Sequence, residues 1–141
     1  MISQLSWDKL FVRLFPGEDF YASLEQAMKE RKVKTAVLVS AVGMLSTVEL
    51  RAFLGHGQYH SEQFGEPMEL VSATGTVALQ ADGTYAFHIH ATMADHQANA
   101  FGGHLGAGTV AVTNELVFLL ADTQIVRRKD EDTGLMGMYF E

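Results

Sequence analysis

Tyr85-Ala86-Phe87-His88-Ile89-His90-Ala91-Thr92-Met93 alternates between apolar and polar side chains. A period of two is the mark of a β-strand with one face in a core. Phe87, Ile89, Ala91 and Met93 share the apolar face of such a strand, and His88, His90 and Thr92 share the other. Immediately upstream, Ala81-Asp82-Gly83-Thr84 carries the Asp-Gly pair that favours a hairpin turn. The run Met68 to Gln80 that enters this turn reads as a long strand, with Gly75 inside it marking a bulge or a close approach of two backbones. The middle of the chain is therefore expected to be an antiparallel hairpin.

Working outward, Leu10, Val12 and Leu14 alternate with Phe11, Arg13 and Phe15 in a first strand that Pro16-Gly17 ends. Glu18-Asp19 then precedes Phe20, Leu24, Ala27 and Met28 at helical spacing, and Lys29, Arg31 and Lys32 follow. Acids at the start and bases at the end suit the helix dipole, so this is an amphipathic helix near the N-terminus. Thr35 to Val42 is continuously apolar and β-branched, as in a strand buried on both faces, and Gly43 interrupts it. Thr47 to Leu54 reads as a separate strand, with Val48, Leu50 and Ala52 on one face and Glu49 and Arg51 on the other. Gly55-His56-Gly57 is a turn, and Gln58 to Phe64 is a polar edge strand. Beyond the histidine strand, Asp95 to Gly108 reads as a glycine-containing loop and Thr109 to Ala121 as a long apolar strand, while Ile125 to Glu141 supplies a last short pair. One helix among about seven strands makes an α+β domain with a mostly antiparallel sheet. With no repeat or linker visible, residues 1–141 read as one domain.

Of the 141 residues, 48% are hydrophobic and only 19% charged, a low charge for a small soluble monomer and a hint of surface buried in an oligomer. The formal net charge of −7 repels a phosphate backbone. The basic runs Lys29-Glu30-Arg31-Lys32 and Arg127-Arg128-Lys129 read as solvated patches, the second diluted at once by Asp130-Glu131-Asp132. Nucleic acid is thus a disfavoured partner. The absence of cysteine removes disulfides, thiolate zinc sites and cysteine nucleophiles together. The first residues show no basic and apolar leader pattern, and no run reaches the length of a membrane span, so a cytoplasmic protein is expected.

His88 and His90 lie two apart on one strand face, about 6.5–7 Å between Cα atoms, close enough for both imidazoles to meet one ion at about 2.0–2.1 Å. Gly102-Gly103 before His104 allows a close backbone approach that turns a third ring inward. The residues alone leave two readings open: a three-histidine metal site, or polar histidines on a solvated strand face. His56 and His60 in a polar hairpin, and His96 beside Asp95, read as solvated or turn residues. Asp95 and Glu69 are the nearest acids for a base or a supporting role, and each is first a turn former or a surface residue. Arg13 sits among apolar residues and, if buried, needs a carboxylate from Glu18, Glu49 or Glu69. The seven methionines are core filler. No catalytic residue can be named: no Ser/His/Asp order, phosphate loop or dinucleotide fingerprint is present.

Four elements occur in order: Arg13-Leu14-Phe15-Pro16-Gly17-Glu18-Asp19, Gly43-Met44-Leu45-Ser46-Thr47-Val48-Glu49-Leu50, Glu66 to Gly75, and His88-Ile89-His90 leading to Gly102-Gly103-His104-Leu105. Together they resemble the plants and prokaryotes conserved (PPC) domain, of the type that stands alone in bacteria and archaea and is joined to AT-hooks in plants. The resemblance runs over nearly the whole chain, and the paired histidines with Gly-Gly-His are its most specific part. It implies an α+β fold assembled as a homotrimer, and a metal, usually zinc or another divalent transition metal, on His88, His90 and His104. A set of three imidazoles leaves a position for water or a small-molecule ligand, the arrangement of catalytic zinc. The resemblance also brings a DNA-binding label through the plant proteins, but this chain has no Arg-Gly-Arg hook and is acidic. The alternative function is a DNA-associated regulatory or oligomerisation module without catalysis.

Overall fold

The structure is a computed structural model that describes residues 1–141. Its elements are β1 (Ile2–Ser6), β2 (Lys9–Leu14), α1 (Phe20–Glu30), β3 (Thr35–Gly55), β4 (Gln58–Phe64), β5 (Met68–Leu79), β6 (Tyr85–Ala94), β7 (Ala100–Leu120), β8 (Ile125–Lys129) and β9 (Met136–Phe140). Every strand pairing is antiparallel, in a seven-stranded sheet of order β1-β2-β7-β6-β5-β3-β4 and a separate β8-β9 hairpin. The expected mostly antiparallel α+β architecture with one helix is present. No helix is long and apolar enough to cross a membrane.

Asp19 caps α1, its carboxylate accepting the Ala22 N–H at 2.8 Å. Phe20, Leu24, Ala27 and Met28 are buried against the sheet, where they join Leu10, Leu14, Leu116 and Phe118 in one core. The helix thus covers one face of the sheet. The opposite face carries no helix.

Two long strands organise the sheet. β3 and β7 pair with each other from Ala36↔Leu120 to Arg51↔His104, and both change partners along the way. β3 has β5 as its other neighbour up to Leu45 and β4 from Val48, while β7 has β6 as its other neighbour near His104 and β2 from Asn114. Because β5 also pairs with β6, the ladders close a circuit β3-β5-β6-β7. The register slips at several points, between Leu38 and Ser40 and between Gly43 and Leu45 among them, which is how strands this long bend.

Four expectations change. The runs 35–42 and 47–54 are one continuous strand, since Gly43 bends β3 without ending it: at φ +150° a Cβ there would lie 2.0 Å from the Thr113 carbonyl. Asp95 to Gly108 is not a loop, because the turn ends at Asn99 and strand begins at Ala100. β1 was not anticipated, since Ile2 to Ser6 is short and half polar; it is an edge strand held by β2. Arg13 points away from the core and meets Thr113 Oγ1 at 3.2 Å and the Phe15 ring, with no carboxylate partner. Two of its supposed partners are engaged elsewhere: Glu18 accepts the Phe15 N–H and Glu49 pairs with Arg51.

Gly75 is a close backbone approach. It faces Ile89 across the β5–β6 ladder, and a Cβ there would stand 2.0 Å from the His88 carbonyl oxygen. The tight contact holds β6, and with it both histidines, against β5. Gly75→Ala is expected to destabilise the fold by about 1–3 kcal/mol, the usual cost of an overpacked site. Gly65→Ala, where nothing lies within 4 Å, should leave thermal unfolding unchanged. Equal melting temperatures for the two variants would refute the role given to Gly75.

Candidate metal centre

The alternation of β6 places Ile89, Ala91 and Met93 in the core and leaves His88 and His90 on the uncovered face. His104 stands directly opposite His90 in the β6–β7 ladder and opposite Arg51 in the β3–β7 ladder. The strands meet here because Gly103 has no side chain: a Cβ would lie 2.9 Å from the Arg51 carbonyl oxygen. The structure brings the three rings together. Ring centroids are separated by 5.2 Å (His88 and His90) and by 5.5 Å from each to His104. One nitrogen from each ring lies within 4.8 Å of the others, and His88 Nε2 and His90 Nε2 are 3.2 Å apart. Two nitrogens on one tetrahedral zinc stand about 3.3 Å apart at ordinary bond lengths. One edge of the triangle already has that separation.

The electrostatics keep nitrogen lone pairs free. Partial burial lowers the His88 pKa below 6.5, and Arg127 and His90 push it the same way. His104 is lowered likewise, by partial burial first and then by His88, His90 and Arg51. Both rings are therefore neutral at pH 7, the form that binds a metal. No acid belongs to the cluster.

Arg51 lies beside it but is committed, donating from Nε to Glu49 Oε1 at 2.8 Å and from a terminal nitrogen to Oε2 at 3.2 Å. That fork holds the Glu49 carboxyl below its ordinary range, with help from Ser61. Beyond Arg51, the Tyr59 ring sits between Phe53 and His104, tilted to both, with centroids 5.2 Å and 6.3 Å away. These residues form one side of a cleft of about 1400 Å³ above the histidines. The β8–β9 hairpin forms the other side, with Arg127, Met136 and Met138.

Arg127 was not visible as a site residue, because Arg127-Arg128-Lys129 reads as a solvated basic run. The strand period splits that run. Arg128 is exposed and pairs with Glu141 at 3.3 Å, and Arg127 is half-buried in the cleft and donates to Thr76 Oγ1. Arg51 did leave a signal, as a polar residue on the outward face of its strand. The other candidates lie elsewhere. Asp95 is a turn former, accepting the Gln97 and Asn99 N–H groups at 2.9 Å each. His60 is exposed beside Glu62, His56 occupies a turn at φ 49°, and neither Glu69 nor His96 lines the cleft.

Comparison with known proteins agrees with this fold. The model of the Plants and Prokaryotes Conserved (PCC) domain matches residues 1–121. A metal-containing protein from Archaeoglobus fulgidus superposes with a TM-score of 0.84 at 24% identity, covering 99% of each chain. A candidate DNA-binding protein from Bacteroides thetaiotaomicron superposes with a TM-score of 0.88 at 21% identity, covering 99% of this chain and 96% of that one. A bifunctional protein GlmU from Synechococcus sp. (strain JA-2-3B'a(2-13)) is 30% identical over 133 residues, 92% of this chain. The chain spans only 20% of the length of that relative. Matched over its first 121 residues, the chain belongs to the Plants and Prokaryotes Conserved (PCC) domain family.

Proposed function

We propose that this protein is a homotrimeric metal-binding domain that holds one zinc-like divalent ion per chain on His88, His90 and His104 and presents it to a small molecule. The observation that carries the reading is the convergence of three imidazoles from two strands within 4.8 Å. The donor set fits such an ion: three imidazole nitrogens, no carboxylate among them, and an open cleft beside them. The structural relative from Archaeoglobus fulgidus is described as metal-containing, which supports the same reading. When bound there, the ion would act as a Lewis acid toward an oxygen ligand. The chain's own part is to keep His88 and His104 unprotonated and to line the approach with Phe53, Tyr59 and Arg127.

The trimer reading rests on the face without a helix. The registers place Thr76, Val37 and Leu119 in one row with His88, and Phe11 with Val117 in the next. Phe11, Val42 and Leu119 are 44%, 48% and 39% exposed, a run of apolar side chains unusual on the open face of an antiparallel sheet. Copies of this chain are the occupants we propose for it. Nucleic acid is not: the net charge is −7, Arg127 is turned inward, and Arg128 and Lys29 are paired with Glu141 and Glu25.

Purified protein should contain about one zinc per chain, and His88→Ala with His90→Ala about none. Unchanged zinc in the double variant, by elemental analysis, would sink the site. Metal-free protein should lose stability on acidification. With folded pKa values below 6.5, the stability that His88 and His104 contribute is full above 6.5 and is lost as pH falls through their lowered folded values, because the unfolded chain takes up protons first. Thermal melts of EDTA-treated protein from about pH 7.5 to about 5 measure this, and His88→Ala should flatten the curve. Light scattering should find a trimer, and Val42→Glu, which sets a second acid against Glu115, should shift it toward monomer with unchanged circular dichroism. A monomeric wild type, or an undisturbed trimer in Val42→Glu, argues against that face.

A further inference from the structure

Arg127 is the one arginine lining the cleft whose charge is unanswered. Arg51 is forked onto Glu49 and Arg128 reaches Glu141, but no carboxylate lies within ion-pair distance of the Arg127 guanidinium. A guanidinium has five N–H donors. This one uses two, to Thr76 Oγ1 and, at 3.5 Å, to the Met136 carbonyl. The side chain is only partly exposed, so its charge is desolvated without compensation. Leaving a cation in that state is unfavourable unless an anion completes it. Its position is fixed relative to the histidines, because Thr76 is the cross-strand partner of His88 and such partners lie about 5 Å apart at Cβ. The cleft also offers apolar surface from Phe53, Phe87, Val126, Leu135 and Met138, while its two carboxylates are engaged, Glu141 by Arg128 and Asp82 by Thr84.

We propose that Arg127 is the anchor for a small organic oxyanion, a carboxylate or a phosphate on an apolar body, whose acidic group docks on the guanidinium beside the three histidines. The planar fork matches two oxygens of such a group, and the aromatic and methionine side chains take the body. The assignment rests on the small-molecule reading of the cleft and adds the ligand class to it. It is a property of the β8–β9 hairpin, which lies outside residues 1–121 matched by the family.

The test is titration of zinc-loaded and EDTA-treated protein with benzoate, phenyl phosphate and neutral benzamide, followed by amide NMR. The anionic probes should shift amides around His88 and Arg127 in both forms. Arg127→Gln should weaken the better-bound anion at least about tenfold, the weight of one charge-assisted pair, and leave benzamide unaffected. Whichever anion binds more tightly identifies the acidic group. Arg127→Lys keeps the charge without the fork, so intermediate affinity is expected, and it serves as the readout if the glutamine variant unfolds. Anion binding indifferent to both substitutions, or benzamide binding as tightly as benzoate, overturns the proposal. Zinc uptake without Arg127-dependent anion binding removes the anchor alone. Arg127-dependent anion binding without zinc uptake removes the metal reading alone and leaves the anchor standing.

Discussion

The antiparallel ladder between β3 and β7 is the constraint from which the rest follows. It runs from Ala36↔Leu120 to Arg51↔His104 and is the longest pairing in the molecule. Neither strand could stay flat over such a length, because strands twist and edges must find partners. Each bends and changes its second neighbour, and the change brings β6 against the start of β7. His104 is thereby set opposite His90 on one side and Arg51 on the other. Strand alternation alone pairs His88 with His90, and sheet closure adds His104.

The same closure explains why the cluster has the electrostatics it has. Histidines on an open strand face would be well hydrated and would titrate near their ordinary value. Here the cleft walls remove part of that water, and Arg127 and Arg51 add like charge to any imidazolium that forms. Partial burial and neighbouring positive charge thus work in the same direction on His88 and His104, toward the unprotonated ring.

The sequence carried the β-rich, one-helix architecture and the histidine strand because both rest on local periodicity. Tyr85 to Met93 alternates cleanly, and Phe20, Leu24, Ala27 and Met28 repeat at helical spacing. Reading fails where glycine is used for contact. Gly102, Gly103, Gly106 and Gly108 make the first half of β7 look like a loop, although a Cβ at Gly103, Gly106 or Gly108 would come within 2.9 Å of a neighbouring strand. Gly43 likewise suggests a break where the chain only bends. Arg13 illustrates the opposite error, since alternation with leucine and valine says which residues share a face but not which face is wet. Arg51 and Arg127 had to be located by tertiary structure, because their positions depend on pairings with distant strands.

The cleft is built from two parts with different attachments to the fold. Its histidine floor is fixed by the main sheet, and its far wall is a hairpin tied on by Ile125 and Val126 and by a few polar contacts from Gln124 and Arg127 to Leu79, Gln80 and Thr76. Rewriting residues 125–140 would leave the histidine register untouched. The floor and the far wall of the cleft are thus separable, one written into the sheet ladders and the other into a short appended hairpin.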